Sequence, residues 1–435
     1  LKTLFIRGAI GCLVVAGVTL SPLAASGAAE GHATSPVARV WTEPNDGYSF
    51  LDSAIASARH SIDLSMYELS DTTLEDELVA RASAGVDVRV LLNADYEGTE
   101  HNAASYALLH ASKVHVEWAP ANQIFHAKYV VIDARAAYIG TGNSETADYS
   151  STRDFWVEDV RASDVAAVVR TFDGDFAHSA TTAQAGGLVW SPGSTSALVG
   201  LIDAAKLSLL VENEEMDSPA VEASLQSAAR RGVSVKVVMT ESSSWTTALD
   251  GLARSGVHVR VLSSSQVYIH AKVICVDCVG GAGTVFIGSE NFSTSSLSYN
   301  RELGVITTTP KVVAAVDTAV NADYAVGTTV ADSAAPPTKT SAGAPITITS
   351  LEGSISPGEE DSLSVHVTKP GESCDLKVTL PSGYASESHG LGVADANGGG
   401  NITWTWEIGP STDPGTAHAT ITCATGSTQR NFTIR

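Results

Sequence analysis

Two tripeptides hold the side chains best suited to chemistry. HAK at 126–128 and HAK at 270–272 each set an imidazole two residues before an ammonium, at the head of an apolar run, YVVI or VICV. On an extended strand, residues two apart project from the same side, roughly 7 Å apart along the backbone. His126 and Lys128 therefore point together, as do His270 and Lys272, while Ala127 and Ala271 turn away. An imidazole can attack or relay a proton near neutral pH, and an ammonium attracts an anion.

The copies agree beyond the tripeptide. Asp133 and Asp277 each follow their histidine by seven residues, and a glycine-to-asparagine loop comes next, GTGN ending at Asn143 and GSEN ending at Asn291. Eleven residues past each asparagine stands an acid, Asp154 in STRDFWV and Glu302 in YNRELGV. Only the hairpin tip differs in length, by four residues. Asp133 and Asp277 lie at odd spacing from their histidines, so on a regular strand they face away, and they are read as structural.

The surrounding elements repeat too. LDSAIASARHSIDLSMYEL and LVGLIDAAKLSLLVENEEM each run from a helical pattern into an alternating strand. LEDELVARASAGVDVRVLL and VEASLQSAARRGVSVKVVM each carry an amphipathic helix that ends at a glycine, Gly85 or Gly232, before a strand. The glycines are 147 residues apart and the histidines 144, so the halves stay in step throughout. Strands alternating with helices of this length imply an α/β layer design. The expected organisation is a first half at 36–180, a second at 186–326, a linker rich in Ala, Ser, Thr and Pro at 327–345, and an immunoglobulin-like β-sandwich at 346–435, built from short alternating runs such as LSVHV and ITWTW.

With these residues in view, the chain resembles the phospholipase D superfamily, whose signature is HxKxxxxD followed by a Gly-Ser-x-Asn-type loop, present twice in one chain. Gly288-Ser289-Glu290-Asn291 matches that loop, while Thr141 replaces its serine in the first copy and keeps the hydroxyl. The resemblance spans about 290 residues and leaves out the C-terminal β region. It implies two α/β halves packed about a pseudo-twofold, so that both motifs converge on one phosphodiester. By that resemblance His126 is the nucleophile forming a phosphohistidine, and His270 is the general acid and then the base that activates water. Lys128, Lys272, Asn143 and Asn291 would hold phosphoryl oxygens, and Asp154 and Glu302 would accept a hydrogen bond from a histidine ring. Lysines and amides would neutralise the charge, so no metal or cofactor is expected.

The N-terminal segment 1–29, with Lys2, Arg7 and an apolar stretch from Ala9 to Leu20, reads as an export signal, too short for a membrane span. It predicts a secreted protein and removes Cys12. Of the other cysteines, Cys374 and Cys423 are expected to pair. Cys275 and Cys278 form a lone CxxC, read as a loop-closing bridge in preference to two free thiols. ENEEM, Glu212 to Met216, is read as a solvated or substrate-edge loop and not as a metal cluster. Trp118 and Trp245 are left open between rim contacts and packing, and His110, His115 and His258 are read as ordinary strand residues.

Acids outnumber bases 48 to 26, a net charge of −22 that repels polyanions. The expected partner is therefore a phospholipid or other phosphodiester met by transient contact with a membrane surface, with the chain acting as a monomer. The activity read from the resemblance is hydrolysis of glycerophospholipids to phosphatidic acid and a headgroup alcohol. The alternative is a secreted nuclease of the same superfamily, in which case nucleic acid is the partner. Transfer to an alcohol in place of water also stays open. A binding protein with a decayed site is disfavoured, because both copies keep every functional position.

Overall fold

The computed structural model describes residues 37–95, 98–179, 181–330, 346–351, 353–380, 386, 388, 390–409, 412, 414–423 and 426–435. The expected signal segment with Cys12, and residues 331–345 of the expected linker, lie outside the described residues. The first half runs β1 (Val37–Glu43), α1 (Ser49–Ser57), β2 (Ser61–Met66), α2 (Thr72–Ser83), β3 (Asp87–Leu92), α3 (Gly98–His101), α4 (Ala103–His110), β4 (His115–Trp118), β5 (Lys128–Ile132), β6 (Ala136–Gly140), β7 (Thr152–Asp159) and α5 (Ala162–Phe176). The second opens with β8 (Leu188–Ser191), α6 (Thr195–Asp203), β9 (Ser208–Glu212), β10 (Met216–Asp217), α7 (Pro219–Arg230), β11 (Ser234–Thr240), α8 (Thr246–Arg254) and β12 (His258–Leu262). It continues with β13 (Tyr268–Ile269), β14 (Val273–Val279), β15 (Ala282–Gly288), β16 (Phe292–Ser293), α9 (Thr294–Ser298), β17 (Glu302–Thr307), α10 (Pro310–Val326) and β18 (Thr328–Thr329).

The two sheets have one topology. The first is ordered β1-β7-β6-β5-β2-β3-β4 and the second β8-β17-β15-β14-β9-β11-β12-β18. In each, the motif strand pairs antiparallel with its hairpin partner on one side and with the half's first helix-connected strand on the other. The strand that follows a helix pairs parallel, as a crossover requires: β3 on β2 and β11 on β9. Helix starts are fixed by side-chain caps, Asp71 accepting from the Thr73 and Leu74 amides and Ser218 from that of Val221. Helix ends fall at Gly85 and Gly232, whose φ of 94° and 90° only glycine adopts without strain.

The motif strands are buried on both faces, and alternate side chains join different cores, which builds layers. Tyr129 and Val131 join a core shared by both halves, with Phe172 of α5, Val316 of α10, and Val273 and Ile287 of the second sheet. Ala127 and Ala271 face the same core. Val130 and Ile132 instead join the outer core beneath α1, α2 and α4, and Ile274 and Val276 the one beneath α6, α7 and α8. The result is helices, sheet, central helices, sheet, helices. The halves are also stitched by backbone: β13, leading into the second motif, pairs with β7 of the first half, and Phe125, leading into the first motif, bridges Arg301 of the second.

Residues 327–330 differ from the expected linker. Thr328 and Thr329 pair with Val261 and Arg260, extending the second sheet by an edge strand. His110 closes α4 and stacks on Tyr106 instead of lying in a strand. The C-terminal region is all β: β19 (Thr347–Leu351), β20 (Ser354–Ile355), β21 (Glu360–His366), β22 (Ser373–Thr379), β23 (Gly392–Asp395), β24 (Asn401–Glu407), β25 (Gly415–Cys423) and β26 (Gly426–Ile434). They form sheets β19-β21-β24 and β20-β26-β25-β22-β23 around Leu363, Val365, Trp404, Trp406, Ile421 and Phe432. Cys374 and Cys423 are disulfide-bonded, but they lie opposite one another on β22 and β25 of one sheet. An immunoglobulin domain would have its bridge run between the sheets.

Candidate active site

The two histidines are oriented crosswise. His126 Nδ1 lies 2.9 Å from Glu302 Oε2 and 3.2 Å from the Ser289 carbonyl oxygen, both in the second half. His270 Nδ1 lies 2.9 Å from Asp154 Oδ1 of the first. Carboxylate and carbonyl oxygens only accept, so each Nδ1 carries a proton and each Nε2 lies on the other edge of its ring. Backbone bonds fix the same relation: the amides of His126 and Ala127 donate to the Arg301 carbonyl, and that of His270 to the Arg153 carbonyl.

The carboxylates are held in turn. Glu302 accepts from Ser289 Oγ at 2.6 Å, Ser296 Oγ at 2.7 Å and Asn300 Nδ2 at 3.2 Å. Asp154 accepts from Thr141 Oγ1 at 2.5 Å. Each of these loop hydroxyls also accepts the amide that follows the acid, Leu303 or Phe155, so serine and threonine do the same work in the two copies. Burial alone would raise both carboxyls, but the neighbouring imidazoles and lysines hold Glu302 and Asp154 below the usual range. His126 is lowered as well, but for a different reason: burial, with Lys128 and Lys272 nearby, outweighs Glu302 and favours the neutral ring.

Both lysines are fully buried. Lys128 Nζ donates to the His126 carbonyl at 2.7 Å and sits 4.8 Å above the Tyr67 ring. Burial and the charge of Lys272 push it down to about 7. Lys272 Nζ donates to the His270 carbonyl at 2.6 Å and to Glu214 Oε2 at 2.9 Å. Asn143 Nδ2 donates to Glu68 Oε2 at 2.8 Å and Asn291 Nδ2 to Glu214 Oε2 at 3.3 Å, leaving both amide oxygens buried and unpartnered. The structure thus brings His126, Lys128, Asn143, Asp154, His270, Lys272, Asn291 and Glu302 together. Such a cluster can bind an anion from two sides, with an imidazole on each.

Sequence reasoning missed the acids on the other face. Glu68 and Glu214 follow β2 and β9 and lie 146 residues apart, in register with the repeat that aligns the motifs. Of the two readings left for ENEEM, solvated or substrate-edge, the solvated one fails: Glu212 is fully buried and Glu214 faces the lysine and the histidine. Glu145 abuts Glu68, and burial with that like charge raises it to about 7. Trp118 ends β4 and stacks on Tyr106, and Trp245 packs on the second half's outer core, so packing accounts for both. Among the described residues no group of three or more His, Cys, Asp or Glu is placed to hold a metal ion.

Asp133 and Asp277 stand apart from the pocket. Each sits just past the apolar run at φ of 52° or 51° and accepts three consecutive amides, Arg59 to Ser61 or Lys206 to Ser208. Burial would raise them slightly, but those amides hold both carboxyls low. They pin the far end of the motif strand to the turn before β2 or β9. Cys275 and Cys278, flanking Asp277, are disulfide-bonded.

The comparisons agree with this duplicated geometry. The family described as "Cardiolipin synthase, PLD-like domain" matches residues 51–176 and again 198–324, more than half of the chain. No curated protein matches. Among solved structures, phosphatidylserine synthase of Haemophilus influenzae is similar over 69% of this chain and 90% of its own, with TM-score 0.54 and 11% identity. Polyphosphate kinase of Porphyromonas gingivalis is similar over 66% of this chain, which spans 50% of that protein, with TM-score 0.53 and 17% identity. The phospholipase D family member Nuc of Salmonella typhimurium matches 33% of this chain and 95% of its own at 28% identity, with TM-score 0.30. The chain belongs to the phospholipase D-like family, whose members act on phosphodiesters, and carries its domain twice.

Proposed function

We propose that the protein is a secreted phospholipase D-type phosphodiesterase that hydrolyses glycerophospholipids to phosphatidic acid and the headgroup alcohol. The observation that carries the reading is the pair of crossed histidine–carboxylate bonds, which leaves both Nε2 atoms out of those bonds and sets the rings beside two buried lysines. His126 Nε2 attacks phosphorus, forming a P–N bond as the P–O bond to the headgroup breaks. His270, protonated at both ring nitrogens at the start of the step, gives its Nε2 proton to the departing oxygen and keeps the Nδ1 proton that it donates to Asp154. Water then attacks the phosphohistidine, His270 takes a water proton, and the P–N bond breaks to return neutral His126. Lys128, Lys272, Asn143 and Asn291 bind the non-bridging oxygens, where charge builds in the transition state.

His126 suits the first role because burial and two lysines favour its neutral ring. His270 suits the second because its Nδ1 stands 2.9 Å from the Asp154 carboxylate, which supports the ring when Nε2 also carries a proton. Lipid is preferred to nucleic acid because the net charge is −22 and three acids, Glu68, Glu145 and Glu214, stand against the motif asparagines. Export is supported by the N-terminal composition and by the two disulfides. Among the described residues no helix is long and apolar enough to cross a membrane.

The test offers purified protein phosphatidylcholine vesicles and plasmid DNA in parallel, in chelator. Choline release that disappears in His126→Ala supports the proposal. DNA nicking without choline release would transfer the assignment to a nuclease, and activity lost to chelation would rule out the metal-free route.

A further inference from the structure

We propose that the Glu214 carboxylate occupies the place of a phosphoryl oxygen in the second half of the site, so that a phosphate has to displace it. This rests on the phosphodiesterase reading above and adds a residue that the two motifs do not contain. A single atom, Glu214 Oε2, lies 2.9 Å from Lys272 Nζ, 3.3 Å from Asn291 Nδ2 and 3.5 Å from His270 Nε2. The first two are the second-half groups assigned to the phosphoryl oxygens, and the third is the group assigned to protonate the departing oxygen. The other oxygen, Oε1, accepts from the Tyr268 hydroxyl at 2.8 Å. A carboxylate held by an ammonium, an amide and an imidazole has the donor set of a bound phosphate.

The first half is only partly filled in this way. Glu68 Oε2 takes the Asn143 amide at 2.8 Å, but Oε1 is turned to His101 at 2.7 Å. Among the described residues no carboxylate comes within ion-pair distance of Lys128. One seat is therefore closed by an internal anion and the other is open to an incoming one.

The arrangement answers a physical problem that a cationic pocket creates. Lys272 is fully buried, and a buried ammonium without a partner is strongly unfavourable. Glu214 supplies the partner while the pocket is empty. Its side chain is 21% exposed, in the short link between β9 and β10, so it can swing toward solvent as phosphate arrives. After hydrolysis the product is a phosphomonoester, more highly charged than the diester and held more tightly by the same cations. Return of Glu214 to Lys272 opposes that retention and speeds release.

The experiment is calorimetric titration of the full chain with inorganic phosphate at fixed ionic strength, comparing wild type with Glu214→Gln, Glu215→Gln and Lys272→Met. Removing a competing negative charge from the seat is expected to tighten phosphate binding about tenfold or more in Glu214→Gln. Glu215→Gln, whose side chain is not on the seat, should match wild type. Lys272→Met should lose phosphate. Damage to the site would weaken binding, so a gain separates the proposal from a merely structural role. If Glu214→Gln binds phosphate no better than wild type while Lys272→Met abolishes binding, Glu214 is a support for Lys272 and the proposal is overturned with the phosphate seat intact. If Lys272→Met leaves phosphate binding unchanged, the seat itself is misassigned and both readings fall. Should Glu214→Gln lack a cooperative melting transition, Glu214→Ser is read by the same criteria.

Discussion

His126 of the first half is oriented by Glu302 of the second, its Nδ1 standing 2.9 Å from Oε2. The reciprocal bond from His270 to Asp154 has the same length. Neither half fixes its own histidine, so the site exists only where the two sheets meet. Glu302→Gln keeps the size but replaces an obligate acceptor with an amide that can present a donor, which stabilises the wrong ring tautomer. We expect kcat to fall by about two to four orders of magnitude, with an unchanged melting temperature. Steady-state kinetics on a short-chain phosphatidylcholine, beside a melting curve, check both.

The double displacement assigns His270 to both steps, but a good leaving group needs no proton. With an aryl phosphodiester, His270→Ala should therefore still release phenol in the first turnover, and then stall because no base activates water. The expected observation is a burst of one equivalent, with a phosphohistidine on the intact protein by mass spectrometry, mapping to His126. Slow linear release with no covalent species would sink the two-step route.

Lys128 gives the pH dependence a direction. Burial and Lys272 bring it to about 7 in the folded protein, against about 10.4 in an unfolded chain. The folded state thus resists the proton that the unfolded state accepts. The cost is complete below about 7 and disappears as pH rises toward about 10.4. Lys128→Met should therefore stabilise the protein more at pH 6 than at pH 10, measured by urea denaturation at the two values. Anion binding has the opposite dependence because it needs the charged ammonium. Affinity for dimethyl phosphate, whose own charge is constant over this range, should fall as pH rises above about 7, with proton uptake on binding.

The Cys374–Cys423 bridge closes a loop of sequence separation 49 inside the β region, for which loop entropy gives about 4 kcal/mol of stabilisation. No residue of that region lies among the site groups. A Cys374→Ala/Cys423→Ala double variant, which keeps the Cys275–Cys278 bridge, should lower the melting temperature of the β region by more than about ten degrees while phosphodiester hydrolysis at 25 °C is unchanged. Calorimetry of variant and wild type, beside an activity assay, checks this. Loss of activity in step with the β transition would show that the region takes part in substrate binding.

Most of the fold was legible because it is repeated: two histidine–lysine pairs in register, two helices ending at Gly85 and Gly232, and alternation that sent Ala127 and Ala271 to the core. What was not legible is what the meeting of the halves creates. Asp154 and Glu302 stood out by their spacing, but which histidine each serves depends on the interface, and nothing local to STRDFWV or YNRELGV encodes it. Glu68 and Glu214 were visible only to an alignment of strand ends. For a run of acids such as ENEEM, a solvated loop and a substrate-edge loop cannot be told apart until Lys272, 58 residues beyond Glu214, is known to face it. The intrasheet position of the Cys374–Cys423 bridge was hidden for the same reason, since pairing of two strand cysteines does not say whether the strands share a sheet.

The interface that builds the site also buries two arginines just before the orienting acids. Arg301 Nη2 pairs with Asp175 at 2.8 Å, and Arg153 Nε pairs with Asp323 at 2.5 Å; each arginine reaches the terminal helix of the other half. Arg301→Met would leave Asp175 buried without its counter-ion, and we expect a loss of about 3–5 kcal/mol in urea denaturation. The carbonyl of residue 301 would still hold the His126 amide, so kcat at 20 °C should stay within about threefold of wild type. Adding Asp175→Leu removes the stranded carboxylate and sets two apolar side chains beside Phe125 and Trp190, which Arg301 now touches. The double variant should recover most of the lost stability. If single and double variants are equally unstable, the arginine matters through its packing and its donors to Thr182 and not through the charge it neutralises.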